Sequence, residues 1–122
     1  MLKKTRPKIH KKGWGEEVWM VNNDKYCGKL LKFKRGAKFS DHFHRVKDET
    51  WYVLSGELEL RHYNLANADR IMMVLKVGDV VHIPPGNPHQ LIARTEAIVI
   101  EISTPHHDAD SYRIGKGDNQ KK

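Results

Sequence analysis

One stretch of the chain decides both the fold and the site, Gly36-Ala-Lys-Phe-Ser-Asp-His-Phe-His-Arg-Val-Lys-Asp-Glu-Thr-Trp-Tyr-Val-Leu-Ser-Gly56. Within it, His42 and His44 are two residues apart, so on a β-strand both imidazoles project from the same face. Glu49 follows a short polar link and opens a run of β-branched and aromatic residues. That link can return the carboxylate beside the histidines. The stretch therefore predicts two histidines and one glutamate as ligands of a single metal ion.

A second stretch supplies a fourth candidate ligand, Gly78-Asp-Val-Val-His-Ile-Pro-Pro-Gly-Asn-Pro-His89. The prolines make a rigid turn that fixes the direction of His89. Three imidazoles and one carboxylate suit one divalent transition metal, Mn, Fe, Co, Ni or Zn, and the sequence does not choose among them. The alternative is a set of unrelated surface or core histidines, which is how we interpret His10, His106 and His107.

Short strands separated by turns account for most of the remaining chain. Glycine and proline punctuate them at roughly even spacing, which predicts an all-β sandwich or barrel. The segment 14–20 fits a helix or a strand equally well. The predicted strands are 30–34, 50–54, 57–61, 71–75, 80–83, 90–93 and 97–102.

The length of 122 residues indicates one domain. Six of the 22 basic residues lie in residues 1–12, which hold no acidic residue, so the rest of the chain is nearly balanced in charge. We interpret 1–12 as a flexible basic arm, 13–114 as the β-barrel domain and 115–122 as a flexible tail. No aromatic residue interleaves with the charges of the arm, so we expect no nucleic-acid partner.

Targeting signals are not apparent in this sequence. The N-terminus is charged and lacks the apolar stretch of a signal peptide, and no apolar run is long enough to span a bilayer. The lone Cys27 cannot form an intrachain disulfide. We therefore expect a cytoplasmic protein without a membrane partner.

Both stretches resemble the two signature motifs of the cupin superfamily, of the cupin 2 type. The first matches the family spacing in full: Gly36, five residues, His42, one, His44, four, Glu49, six, Gly56. The second matches at its glycines, its first proline and His89, and departs only at position 93, where alanine stands in place of the usual asparagine. The resemblance implies a single-domain jelly-roll β-barrel, a metal bound inside it, and a homodimer.

Three further segments resemble the isomerase domain of type II mannose-6-phosphate isomerase. They are Gly13-Trp-Gly-Glu16, the stretch from His44 to Trp51, and the closing pair Ile100-Glu-Ile-Ser103 and Asp110-Ser-Tyr-Arg113. This resemblance implies aldose–ketose isomerisation of a sugar or sugar phosphate through a metal-stabilised enediolate. Two alternatives remain open: an Fe(II)-dependent cupin dioxygenase, and a non-catalytic cupin that binds a small ligand.

Five residues outside the metal set are candidates for catalysis or substrate binding. Glu101 is the candidate base, because it lies in an otherwise apolar strand where burial would raise its pKa. The alternative for Glu101 is an ion pair at the barrel rim, with Arg113 as partner. Trp51 shares the parity of Glu49 and is expected to line the cavity. Lys34, Arg45 and Arg113 are candidates for holding a phosphate.

Overall fold

The computed structural model describes residues 1–118. Over this range the chain forms eleven strands and one short 3-10 helix, Asp108–Asp110. The strands are β1 Lys8–Lys12, β2 Gly15–Asn22, β3 Cys27–Phe33, β4 Asp41–Phe43, β5 Glu49–Ser55, β6 Leu58–Tyr63, β7 Arg70–Leu75, β8 Val80–Ile83, β9 His89–Ala93, β10 Ala97–Ser103 and β11 Tyr112–Gly115. The all-β prediction is confirmed, and the segment 14–20 belongs to a strand. Within residues 1–118, no helix has the length and apolar character needed to cross a membrane.

The strands form two antiparallel sheets that face each other. Six strands lie in the order β1-β2-β3-β10-β5-β8, and five in the order β11-β4-β9-β6-β7. Alternation of side chains sets the two faces of each sheet. In β10, for example, Val99 and Glu101 point inward and are buried, while Ile102 points outward and is exposed.

The inner face of the six-stranded sheet changes from apolar to polar along the strands. One row of paired residues is Leu31, Val99 and Val53, which lie in the hydrophobic core. The next row toward one end is Lys29, Glu101 and Trp51, and the row beyond it is Cys27, Ser103 and Glu49. A two-residue step along a strand covers about 7 Å, so the polar rows open one end of the barrel. The site lies at that end.

The ends of the domain differ from the sequence prediction. Lys8–Lys12 is not a free arm but an edge strand that pairs with β2, and Lys11 Nζ lies 2.8 Å from Glu16 Oε1. Near the other end, the backbone NH and the carboxylate of Asp118 bond to the backbone of Lys38. The expected tail therefore starts no earlier than residue 119, and residues 119–122 lie outside the described range. The first of these segments escapes prediction because its side chains are mostly exposed and carry no alternating apolar pattern.

Gly56 is the glycine that the first motif requires at its end. Its φ is +82°, and a Cβ at this position would lie 2.2 Å from the carbonyl oxygen of Glu96. No other residue fits this turn without displacing the start of β10. The turn carries the chain from β5 in the six-stranded sheet to β6 in the five-stranded sheet.

Candidate metal centre

Three histidines meet inside the barrel at its polar end. His42 lies on β4, His44 directly follows that strand, and His89 opens β9. His42 and His89 are register partners across the β4–β9 pair. One ring nitrogen of each histidine lies within 4.8 Å of those of the other two. The sequence prediction that these three imidazoles converge agrees with this geometry.

Each imidazole is oriented by a backbone carbonyl. The Nδ1 atoms of His42, His44 and His89 lie 2.6, 2.8 and 2.8 Å from the carbonyl oxygens of Ser40, Asp110 and Asn87 respectively. A carbonyl only accepts hydrogen bonds, so each Nδ1 carries the proton and each Nε2 presents a lone pair. Such outer hydrogen bonds fix the tautomer and the ring direction of metal-binding histidines.

Glu49 lies on the side of the cluster nearest His44 and His89. Its Oε2 is 3.5 Å from His44 Nε2 and 3.9 Å from His89 Nε2. Its Oε1 accepts a 2.7 Å hydrogen bond from Trp51 Nε1. Glu49 Oε2 and His89 Nε2 are both buried, and neither has a hydrogen-bond partner among residues 1–118. Two orphaned acceptors that point at one centre are what a bound cation would satisfy.

Burial shifts the ionisation of all four side chains. It lowers the pKa of His42 to about 3, lowers that of His89 to about 4 and also lowers that of His44. Burial, with the charge of Glu101 second, raises the pKa of Glu49 to about 8. The imidazoles are therefore neutral and ready to donate lone pairs, whereas the positive charges of Lys47 and Lys29 only partly offset the cost of ionising the carboxylate. The donor set fits a divalent transition metal, whose charge would stabilise the ionised carboxylate.

Asp110 organises the loop that brings Glu49 back to the histidines. Its carboxylate accepts hydrogen bonds from the backbone NH groups of Arg45, Val46 and Lys47, at 2.9 to 3.2 Å. Burial alone would raise the pKa of Asp110, but the three backbone hydrogen bonds together outweigh it and lower the pKa. Together with the bond from His44 to its carbonyl, they tie β4, the loop and the 3-10 helix together. Sequence reasoning did not assign this role to Asp110, because it depends on a contact across more than sixty residues.

A cavity of about 340 Å³ opens in front of the cluster. Its walls include four cationic and four anionic side chains. The cations are Lys12, Lys29, Lys47 and Arg113. The anions are Glu17, Glu49, Glu101 and Asp108. Sequence reasoning missed the two buried lysines at 29 and 47. Lys29 could have been recognised, because it occupies the same face of β3 as the buried residues Cys27, Leu31 and Phe33.

Glu101 is buried, as predicted, but its partner and its ionisation differ from expectation. Its Oε2 lies 2.6 Å from Lys47 Nζ, and the two side chains are 5% and 3% exposed. Burial alone would raise the pKa of Glu101, but the charges of Lys47 and Lys29 outweigh that effect and lower it to about 2. The expectation of a raised pKa was wrong. Glu101 does form an ion pair, but the pair is buried and its partner is Lys47, whereas the alternative expected a pair with Arg113 at the barrel rim.

The structure separates the four candidates for substrate binding. Trp51 is buried beneath the histidines and, with Arg113, lines the cavity. Arg45 is exposed outside the cavity, with its guanidinium 5.9 Å from the ring of Tyr112. Lys34 is exposed on a separate groove beside β1 and β2. The prediction that Lys34 and Arg45 hold a substrate phosphate was wrong for this cavity, because it rested on their charge alone, and both residues lie outside the site after the ends of β3 and β4.

Two facing antiparallel sheets with a three-histidine centre at one end define a jelly-roll barrel with a site for a divalent transition metal. The family model described as "Cupin domain" matches residues 29–107. The chain therefore belongs to the cupin superfamily. No curated protein is similar enough in sequence to count as a match.

Solved cupin structures share this fold at low sequence identity. The capsular polysaccharide assembling protein CapF of Staphylococcus aureus superposes with a TM-score of 0.80 at 19% identity, over 92% of this chain and 33% of its own. Oxalate decarboxylase of Bacillus subtilis, studied for its Mn(II) centres, gives a TM-score of 0.77 at 15% identity, over 88% and 30%. The chain spans about a third of the length of these proteins. At such identities the likeness concerns the fold.

Proposed function

We propose that the protein is a metal-dependent enzyme that isomerises a sugar or sugar phosphate, aldose to ketose. One observation carries the proposal: a four-donor metal set and a buried Lys47–Glu101 pair share one small cavity. The first can activate a carbonyl group and the second can move protons, and aldose–ketose isomerisation needs both and no oxidant.

His42, His44, Glu49 and His89 are the residues we assign to hold the metal. When bound, a divalent ion at this position supplies Lewis-acid polarisation of a carbonyl oxygen. Trp51 supports the set by donating a hydrogen bond to Glu49, which leaves the other carboxylate oxygen directed at the histidines. All four ligands are fixed by contacts that exist before metal binding, so little reorganisation is required.

We assign the proton transfers to the Lys47–Glu101 pair. The carboxylate of Glu101 takes the proton from C2 of the aldose and returns it at C1, and Lys47 carries the hydroxyl proton from O2 to O1. At a pKa of about 2, Glu101 is a weak base in the free protein. A substrate oxygen that accepts a hydrogen bond from Lys47 weakens the pair and raises the pKa of Glu101 toward a useful range.

The size and walls of the cavity support a sugar-sized substrate. A volume of about 340 Å³ lies at the lower end of the range for small-molecule sites. Trp14, Trp19 and Trp51 contribute aromatic surface, and the charged groups contribute hydrogen-bond donors and acceptors. An oxygen-rich molecule matches this mixture better than an apolar one.

A homodimer is part of the proposal, supported by an apolar row on the outer face of the six-stranded sheet. Register pairing aligns one apolar residue from each strand. The row is Ile9, Val18, Leu30, Ile100, Tyr52 and Val80. Val80 is 65% exposed and the neighbouring Ile102 is 62% exposed. An apolar face of this kind can pack on its own copy about a twofold axis. Sedimentation of wild type and Val80→Lys tests this: a dimer that becomes monomeric supports it, and a wild-type monomer contradicts it.

The deciding experiment is proton NMR in D₂O with aldoses and their 6-phosphates, using protein loaded in turn with Mn²⁺, Co²⁺, Ni²⁺ and Zn²⁺. Formation of ketose, or loss of the C2 proton signal, is the expected result. Glu101→Gln should abolish the exchange, and His107→Ala, an exposed histidine outside the cavity, should leave it unchanged. Absence of exchange with every metal would reject the isomerase. Oxygen uptake with Fe²⁺ would then favour the dioxygenase.

A further inference from the structure

Lys29 has an incomplete set of hydrogen-bond partners for a buried ammonium group. Its side chain is 2% exposed, and among residues 1–118 the hydrogen-bonding contact of its Nζ is Glu17 Oε1 at the long distance of 3.4 Å. That oxygen already accepts a 2.7 Å bond from Trp19 Nε1. The other face of the ammonium lies 4.1 Å from the centre of the Trp19 ring. An ammonium has three protons to donate, so this group has capacity for a further acceptor.

The position of Lys29 directs that capacity into the cavity. In the register of the six-stranded sheet, Lys29 lies between Trp19 and Glu101, and Trp51 follows on the next strand. All four side chains line the same cavity as the three histidines. An acceptor held by Lys29 is therefore held beside the reacting end of a substrate, and not on the outer surface.

The charge inventory of the cavity indicates that this acceptor is anionic. Of the charged side chains that line it, the four that are buried, Lys29 and Lys47 with Glu49 and Glu101, cancel. A divalent ion held by the histidines and Glu49 then leaves an excess of about two positive charges in the buried part of the cavity. Buried charge of one sign is costly unless it is compensated. A ligand that carries one or two negative charges would compensate it.

We infer that Lys29 binds an oxyanion of the substrate, a phosphate or a carboxylate group, and that it selects anionic substrates over neutral sugars. The inference deepens the proposed function and rests on it only for the reaction, since Lys29 can bind an anion whether or not isomerisation follows. Glu17 then acts as the resting partner of Lys29, and the incoming oxyanion takes its place.

Calorimetric titration of the Zn²⁺-loaded protein with inorganic phosphate, malonate and neutral mannitol tests the inference. We expect phosphate or malonate to bind, and mannitol not to bind under the same conditions. Tighter binding of phosphate would indicate a phosphate site, and tighter binding of malonate would indicate a carboxylate site. Lys29→Met should weaken that binding roughly 10- to 100-fold, as expected for loss of a charged hydrogen bond. Lys32→Met is the matched control, because Lys32 is exposed on the opposite face of the same strand, and it should leave binding unchanged.

A second variant tests the contact between Lys29 and Glu17 by removing the charge of Glu17, which should strengthen anion binding. Glu17→Gln removes the counter-charge of Lys29, so anion binding should become several-fold tighter. This variant is informative even if Lys29→Met does not fold, because glutamine matches glutamate in shape and the ammonium of Lys29 keeps the nearby charge of Glu101, its partner on β10. Anion binding that neither variant alters, or none at all, would overturn the inference. Anion binding that depends on Lys29, with no deuterium exchange, would support the inference and reject the isomerase. Deuterium exchange of neutral aldoses that Lys29→Met does not alter would support the isomerase and reject the inference.

Discussion

Lys47 Nζ and Glu101 Oε2 lie 2.6 Å apart, and the pair is almost completely shielded from water. Lys47 also approaches His106 Nδ1, at 3.3 Å. Because Lys47 comes from the loop between β4 and β5 while Glu101 comes from the middle of β10, their contact joins the metal-ligand loop to the rigid wall of the barrel. The ion pair is therefore both a structural link and the proton-transferring group of the proposed reaction.

Breaking this pair on one side should be costly. Glu101→Gln leaves the ammonium of Lys47 buried without its counter-ion, and we expect the free energy of unfolding to fall by about 3–5 kcal/mol. The double variant Lys47→Met/Glu101→Leu should recover most of that loss, because it removes both charges. Urea denaturation of the three proteins measures the effect. Glu57→Gln, which breaks the exposed pair with Arg94, should change stability little; an equal loss there would show that burial is not the cause.

Metal binding should depend on each converging histidine. His44→Ala removes one donor and the bond to the Asp110 carbonyl, and we expect stoichiometric binding of divalent metal to be lost. Elemental analysis after dialysis against metal measures the content. His107→Ala should bind one equivalent like the wild type. Full metal content in His44→Ala would remove this histidine from the ligand set.

Glu49 should destabilise the metal-free protein at high pH. The pKa of Glu49 is about 8 in the folded protein and 4.5 for the free side chain. Between pH 4.5 and pH 8, Glu49 is therefore protonated mainly in the folded state and ionised mainly in the unfolded state. A raised acid pKa lowers stability as pH rises from about 4.5 to 8, and the cost is complete above that range. Glu49→Gln should therefore stabilise the metal-free protein at pH 9 by about 1–3 kcal/mol, once the cost of a poorly bonded buried amide is subtracted.

Thermal or urea unfolding of Glu49→Gln and wild type at pH 4.5 and pH 9 measures this difference. The gain should largely disappear at pH 4.5, where the wild-type carboxyl group is protonated in the fold and about half protonated in the unfolded chain. The same variant should bind metal weakly, so added metal should stabilise the wild type and not the variant. A variant that is less stable than the metal-free wild type at pH 9 would contradict the prediction.

Asp110 should influence the metal without touching it. Asp110→Ala removes three backbone hydrogen bonds from the loop 45–47 and leaves the four ligands in place. Loss of such outer contacts weakens metal affinity roughly 10- to 100-fold. Competition with a chromogenic chelator measures the affinity. Asp108→Ala, in the same 3-10 helix but bonded to His106, is the control, and equal weakening in both variants would mean that the helix and not the Asp110 carboxylate is responsible.

Much of the fold was readable from local patterns. β8 runs over Val80–Ile83 as predicted, and β7 and β9 begin one residue earlier than predicted, because polar, glycine and proline turn residues mark the ends of these apolar runs. β1, β4 and β11 were not predicted. β4 is three residues long, and β1 and β11 are edge strands with mostly exposed side chains, so none carries an alternating apolar pattern.

The residues of the site were likewise predictable from the sequence only in part. The spacing of His42, His44, Glu49 and His89 was enough to predict their convergence, because parity on a strand and a rigid turn are local properties. The ionisation of Glu101 was not predictable. It depends on Lys47 and Lys29, which reach it from a loop and from a neighbouring strand.

The sequence by itself determined the class of fold, the membership in the cupin superfamily and the four candidate ligands, since each follows from residue type and short spacing. Only the tertiary structure decided which charged groups share the cavity. It brought Lys29 and Lys47 in and left Lys34 and Arg45 outside. The physical reason is that charge interactions in a buried site depend on distances across strands, and those distances exist only after the sheets have paired.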